Sequence, residues 1–185
     1  VELTPDQVIN IAARTASGSR RRIPVDTQWK RREQIKAFRE EAEQFTIDHL
    51  SELFFVAGVV MEWAEGSKSR NFVDLTNTDA AALRLFITWA RCFLDPAIEF
   101  ELGLHLHDGN DEKTARAYWR RELGLPNAPY GKTYVKPPGT GHRKNQFPQG
   151  VCRVRTRKAA DNWNRVMVWI DVVARSFGVI PDPRC

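Results

Sequence analysis

The sequence predicts an α+β domain with an antiparallel sheet, helices packed on the apolar face of that sheet, and a helical, basic extension in front of it. Three stretches carry this expectation. Leu53–Glu65 is an apolar run with small residues at Ala57, Gly58 and Ala64, followed by Gly66. Ile98–His107 alternates, with Ile98, Phe100, Leu102, Leu104 and Leu106 in one phase and Glu99, Glu101, His105 and His107 in the other. Val151–Arg157 alternates in the same way, setting Arg153, Arg155 and Arg157 against Cys152, Val154 and Thr156. A period of two marks a half-buried strand. Strands of this kind interleaved with helices build a layered domain. The polar face of such a sheet is either solvated or bound to a partner.

The elements follow in order. Thr4-Pro5-Asp6-Gln7 has the form of a helix start, with Thr4 as cap, Pro5 at the first helical position and Gln7 closing a capping box. Arg20-Arg21-Arg22 then reads as an extended basic arm, either a solvated linker or a minor-groove contact. From about Thr27 to His49 the spacing of Trp29, Ile35, Phe38, Ala42 and Phe45 gives a charged helix with a thin apolar stripe, which suits a connector. The Ser51–Glu65 helix comes next, and Gly66 is expected to close it in the left-handed conformation. Asn71–Thr76 reads as a strand. Thr78 or Asp79 caps a helix to about Leu94, burying Leu83, Leu85, Phe86, Trp89 and Phe93. The Ile98–His107 strand follows, then a helix from Asp111 to Gly124, a Pro- and Gly-rich connection over 126–150 with a short strand at Lys132–Lys136, and the arginine strand. A final helix, about Ala159–Phe177, buries Trp163, Val166, Met167, Ile170 and Val173 and is closed by Gly178. Residues 1–50 are therefore expected to form the extension, 51–178 the domain and 179–185 a tail.

A net charge of +5 spread over 185 residues says less than its distribution. Between Leu123 and Ala160 there is no acidic residue, while Lys132, Lys136, Arg143, Lys144, Arg153, Arg155, Arg157 and Lys158 all lie inside. A basic stretch free of acids suits a polyanion. The three cysteines are odd in number and widely spaced, which argues against a disulfide framework or a zinc site and favours a reducing, cytoplasmic setting. No signal peptide and no membrane-length apolar run is expected. His105 and His107 share one phase of a strand, but a zinc site needs a third ligand that the spacing does not supply, so DNA-facing or structural histidines remain the alternative. Glu65 stands in the last turn of its helix, where the dipole disfavours a carboxylate. An acid kept there despite the cost is a candidate functional group.

Trp63-Ala64-Glu65-Gly66-Ser67-Lys68-Ser69 is followed in order by Asn77-Thr78-Asp79, Leu83-Arg84-Leu85-Phe86, His105-Leu106-His107 and Tyr118-Trp119. Lys136-Pro137-Pro138, His142-Arg143-Lys144-Asn145 and Gly150-Val151-Cys152-Arg153-Val154 complete the series. Together, over roughly residues 53–173, these motifs resemble a bacterial, actinobacterial single-motif branch of the LAGLIDADG homing-endonuclease-like family. The resemblance implies an αββαββα domain that acts on double-stranded DNA. A single motif implies a homodimer, with Ala57, Gly58, Met61 and Ala64 on the helix seam. It also implies Glu65 as the acid that binds Mg²⁺ for phosphodiester hydrolysis, with Glu62 as a weaker candidate. The family includes non-cleaving DNA binders, so DNA binding is the leading expectation and an active endonuclease the alternative. A protein-interaction module is the third. Gly58 and Gly66 are eight residues apart, whereas the family motif spaces its glycines by six. The residues expected on DNA are Lys68, Lys132, Lys136, Arg143, Lys144, Arg153, Arg155 and Arg157. For the arginines the competing expectation is cross-strand pairing with Glu99 and Glu101.

Overall fold

Two helices begin where an aspartate side chain satisfies the exposed backbone end. The computed structural model describes residues 25–67, 72–137, 147–157 and 160–179. Its elements are α1 (Val25–His49), α2 (Leu53–Glu65), β1 (Asp74–Asn77), α3 (Ala80–Phe93), β2 (Phe100–His107), α4 (Glu112–Leu123), β3 (Tyr134–Lys136), β4 (Val151–Thr156) and α5 (Ala160–Ser176). Asp79 caps α3 by accepting from the Ala81 amide at 2.8 Å. Asp111 caps α4 by accepting from the amides of Lys113 and Thr114. Gly124, at φ 63°, ends α4 in the left-handed region, the conformation least costly for glycine. The expected helix start at Thr4–Gln7 and the Arg20–Arg22 arm lie outside the described residues.

The chain divides between Glu40 and Glu41, earlier than the boundary expected at residue 51. In the first unit the described stretch is the beginning of α1, where Trp29 and Ile35 are exposed. In the second unit the end of α1 is a core element rather than a connector. Ala42 and Thr46 are buried, and Phe45 stacks on Trp169 with ring centroids 5.3 Å apart. The expected apolar stripe thus splits along the helix.

One sheet organises the second unit, in the order β1-β4-β2-β3. The β1–β4 and β4–β2 pairs are antiparallel, but β3 joins β2 in parallel, so the sheet is mixed rather than wholly antiparallel. The reason lies in the connection before β3. Leu102 donates to Pro129 O at 2.9 Å and Gly131 donates to Leu102 O at 2.8 Å, which lays the incoming chain alongside β2. Tyr130 fastens it to α4: its hydroxyl donates to Arg116 O at 2.9 Å, and the guanidinium groups of Arg116 and Arg120 lie 4.7 and 5.0 Å from its ring centroid. Thr133 donates to Glu112 at 2.7 Å. That bond, followed by the hydrogen bond from Arg116 Nε at 2.8 Å, holds the Glu112 carboxyl below its ordinary range.

The apolar sheet face is the expected one. Phe100, Leu102, Leu104, Leu106, Cys152, Val154 and Leu75 are buried in a single core with Phe55 and Val59 of α2, Leu83, Phe86 and Trp89 of α3, Trp119 of α4, and Val166, Trp169 and Val173 of α5. Leu85 departs from expectation, since its side chain is exposed. Among the described residues the element order is αβαβαββα from α2 onward, which differs from a plain αββαββα series.

Gly58 is the tightest point of the core. A Cβ there would overlap the indole of Trp89, and the same indole nitrogen donates to Phe55 O at 3.2 Å. Gly58 therefore faces inward, a correction to its expected place on a dimer seam. Gly66 is also needed for a different reason from the one expected. Its φ is −67°, an ordinary value, but a Cβ would collide with the Glu62 carbonyl and carboxylate. Gly58→Ala gains roughly 1 kcal/mol in helix propensity but overpacks the indole at a cost of about 1–3 kcal/mol or more. Urea denaturation will show a net loss of stability, with the midpoint lowered at constant m-value.

Candidate nucleic-acid interface

Two surfaces emerge from this arrangement: the outer side of α2 and the polar face of the sheet. The first follows from helical geometry. With Phe55, Gly58, Val59 and Glu62 buried, the opposite side presents Leu53, Ala57, Val60 and Ala64 at spacings of four, three and four, a continuous helical stripe. Leu53 is 85 % exposed and Val60 39 %. Of the expected seam residues, Ala57 and Ala64 lie on this stripe, Met61 is half-buried beside it and Gly58 is inside. Glu65 is exposed at the end of α2. Glu62, one turn earlier, is buried. The weaker candidate is thus a core residue and the stronger one faces solvent.

The second surface is built by register. Asp74 of β1 stands opposite Arg155 of β4, which stands opposite Glu101 of β2. Thr76 is opposite Arg153, and Arg153 is opposite Gly103. His105 neighbours Val151 on one side and Tyr134 on the other, and His107 neighbours Lys136. Thr76, His105 and Tyr134 are exposed and the remaining polar residues half-buried, apart from Asp74.

Asp74 is only 2 % exposed, and it holds two of the three arginines. Its Oδ2 is 3.2 Å from Arg155 Nε and 4.0 Å from Arg153 Nε. The Arg155 guanidinium also lies over Phe72, 4.1 Å from the ring centroid. The Arg153 guanidinium occupies the space over Gly103, where a Cβ would sit 3.1 Å from Nη2. Arg157, past the end of β4, is paired with Glu99 at 3.2 Å, as the cross-strand alternative anticipated. It borders a separate cavity of about 340 Å³ with Arg91 and the 124–129 turn. No ion pair joins Arg155 to Glu101 among the described residues; Asp74 takes that place.

Lys132 is exposed and Lys136 half-buried on the sheet edge. Lys136, His105, His107 and Tyr134 line a shallow cavity of about 220 Å³. Lys68, Arg143 and Lys144 lie outside the described residues. Asp74 and Gly103 were missed by pattern reading. A signal for Gly103 existed, because glycine inside a strand marks the close approach of another group. For Asp74 the signal was weaker: a strand acid aligned with an arginine column only becomes visible once the register is known.

No three His, Cys, Asp or Glu side chains among the described residues form a metal-sized group, and Glu65 is exposed at the end of α2. A lone exposed carboxylate with a solvated remainder is within the habit of Mg²⁺, which keeps several waters. Burial pushes the Cys152 thiol up to about 12, keeping it protonated and inert at neutral pH. No helix among the described residues is long and apolar enough to cross a membrane. No family model, curated protein or solved structure matches the chain.

Desolvation, followed by the charge of Arg153, holds His105 below its ordinary value of 6.5. The folded chain then binds fewer protons than the unfolded one as pH falls below that value, so this group removes stability on acidification. Thermal melts between pH 7.5 and 5.5 will show a shallower loss in His105→Gln than in the parent protein, and the His105 imidazole will titrate below 6.5 by NMR.

Proposed function

We propose that the chain is a double-stranded DNA-binding protein with a LAGLIDADG-like domain, paired as a homodimer through α2. The observation that carries the reading is the polar sheet face, where Arg153, Arg155, His105 and Lys136 are aligned by register on strands whose other face is the core. Two arginines on the central strand β4 and a lysine on the edge strand β3 suit the negative charge of a duplex. Lys132 and Arg157 are proposed as phosphate contacts beside this surface, as are Lys68, Arg143 and Lys144, which lie outside the described residues.

Topology supports the same reading. Gly66 bridges Leu75 in antiparallel sense, and Ser67 donates to Asp74 O at 3.3 Å. Residues 66–67 thus act as a rudimentary strand before β1. With that segment counted, and with α4 and β3 taken as an insertion between β2 and β4, the order becomes αββαββα. The outer stripe of α2 supports the dimer. Leu53, Ala57, Val60 and Ala64 offer small, apolar contacts along the whole helix, with Met61 at the side. Replacing the central Val60 with Glu will yield a monomer at tens of micromolar by sedimentation and weaken duplex binding. Parent-protein affinity for a duplex will fall steeply with salt, by about a hundredfold between 50 and 200 mM for four phosphate contacts. Absent or salt-independent binding would leave the protein-interaction module.

A second reading, a divalent-metal-dependent endonuclease, is favoured by Glu65 itself. The residue is exposed at the end of the proposed seam, at the helix terminus that least favours a carboxylate. Glu65 and the second copy's Glu65 would hold the Mg²⁺, which supplies Lewis acidity and a nucleophilic water when bound. Supercoiled plasmid incubated with Mg²⁺ or Mn²⁺ tests it. Nicking by the parent protein and none by Glu65→Ala establishes the enzyme; shift of a duplex without nicking of a plasmid carrying its bound sequence establishes the binder.

A further inference from the structure

Asp74 is an odd residue to find beneath a surface meant for DNA. It brings a negative charge to a face that should attract phosphate, and it is 2 % exposed. Burying a carboxylate costs several kcal/mol unless it is paired and hydrogen-bonded. Here the pairing is unequal. Arg155 Nε donates to Oδ2 at 3.2 Å, whereas Arg153 Nε stands 4.0 Å from the same oxygen. Asp74 Oδ1 and Arg153 Nε are both buried without a hydrogen-bond partner among the described residues. An acid this costly, shared by two arginines, is a device for holding them.

Each guanidinium is restrained a second time. Arg155 lies over the Phe72 ring at 4.1 Å, a cation–π contact. Arg153 rests over Gly103, with the vacant Cβ position 3.1 Å from Nη2 and 3.2 Å from Nε. A Cβ at Gly103 would make that guanidinium give by a few tenths of an ångström, and a branched side chain there would displace it further. The arginines are therefore half-buried and fixed, and one of their two charges is offset by Asp74. Phosphate binding without sequence preference needs only net charge, which exposed Lys132 supplies. Arg155, with its Nε held by Asp74, and Arg153, seated over Gly103, keep terminal nitrogens to present as a planar donor fork, a form that guanine O6 and N7 accept.

We infer that Asp74 is a positioning residue, which with Phe72 and Gly103 sets Arg153 and Arg155 as readers of base edges rather than phosphate contacts. The inference rests on the DNA-binding reading above. It makes a prediction whose sign separates it from a simple charge effect. Removing the negative charge in Asp74→Asn raises attraction to any duplex, so affinity for shuffled sequence rises or stays level. Discrimination falls, because the arginines lose their anchor.

The experiment starts from a randomised duplex pool, from which the parent protein enriches a preferred sequence. Affinity for that sequence and for a shuffled duplex is then measured for parent protein, Asp74→Asn and Gly103→Val. The expected result is a loss of at least about tenfold in the preferred-to-shuffled ratio in both variants, within the span of one lost bidentate contact. Gly103→Val keeps the net charge unchanged and places its side chain on the open face, so it reads position alone and stands if Asp74→Asn fails to fold, which circular dichroism reports. An unchanged ratio in Gly103→Val or folded Asp74→Asn overturns the inference, as does a parent protein that binds duplex but enriches no sequence. A parent protein that binds no duplex overturns the DNA-binding reading itself.

Discussion

The contact between Trp89 and Gly58 decides the orientation of α2, and much of the domain follows from that orientation. The indole fills the space a side chain at residue 58 would take, and it also donates to Phe55 O on the same helix. A helix held at two points by one rigid ring cannot rotate about its axis. Phe55, Val59 and Glu62 are turned inward, and Phe55 packs edge-on against Trp169 and Phe93 at 5.1 Å in each case. The other side, with Leu53, Ala57, Val60 and Ala64, is left outward. A rotation of half a turn, about two residues at 100° each, would bury the stripe and expose the aromatic core. The interior and the apolar surface are thus two consequences of one contact.

The sheet divides its labour more simply. Period-two alternation sends Phe100, Leu102, Leu104 and Leu106 to the helices and Glu101, His105 and His107 to the other side. Such alternation costs nothing extra, but a column of arginines does. Arg153 and Arg155 are two residues apart on one strand face, close enough to repel. Asp74 offsets that repulsion from the neighbouring strand, and β4's central position between β1 and β2 makes the pairing possible. The offset has a mechanical effect as well, since the carboxylate is buried and cannot move with the side chains it binds.

The α+β class, the strands carrying these faces, the helix start at Asp111 and the narrowing of the α3 cap to Thr78 or Asp79 were legible in the sequence because each depends on local spacing. Leu83, Phe86 and Trp89 recur at helical intervals, and Asp79 and Asp111 stand just before their helices. What was not legible depends on which elements meet. Gly58 looked like a residue that admits a second helix, and it does admit a close neighbour, but that neighbour is an indole of the same chain. The parallel pairing of β3 is set by the hydrogen bonds of Leu102 and Gly131 and by Tyr130 on α4, none of which leaves a periodic trace. Trp169 lies in the buried phase of α5 but was passed over beside Trp163, and only the aromatic packing of Phe45 and Phe55 shows it to be the inner one. Asp74 belonged to a strand whose partner strand lies some eighty residues on.

The two surfaces are joined by a short and specific piece of backbone. Glu65 ends the outward stripe of α2; the next residue, Gly66, bridges Leu75; and Ser67 donates to Asp74 O. The helix end and β1 are therefore linked across two backbone contacts, Gly66 with Leu75 and Ser67 with Asp74. Gly66 is required at that junction because Glu62 occupies the space above it, so the helix must end where it does and the chain must enter the sheet edge at once. In this light the acid at the unfavourable end of a helix is held in place by its successor: Glu65 sits where it does because Gly66 can pass under Glu62, and nothing larger can.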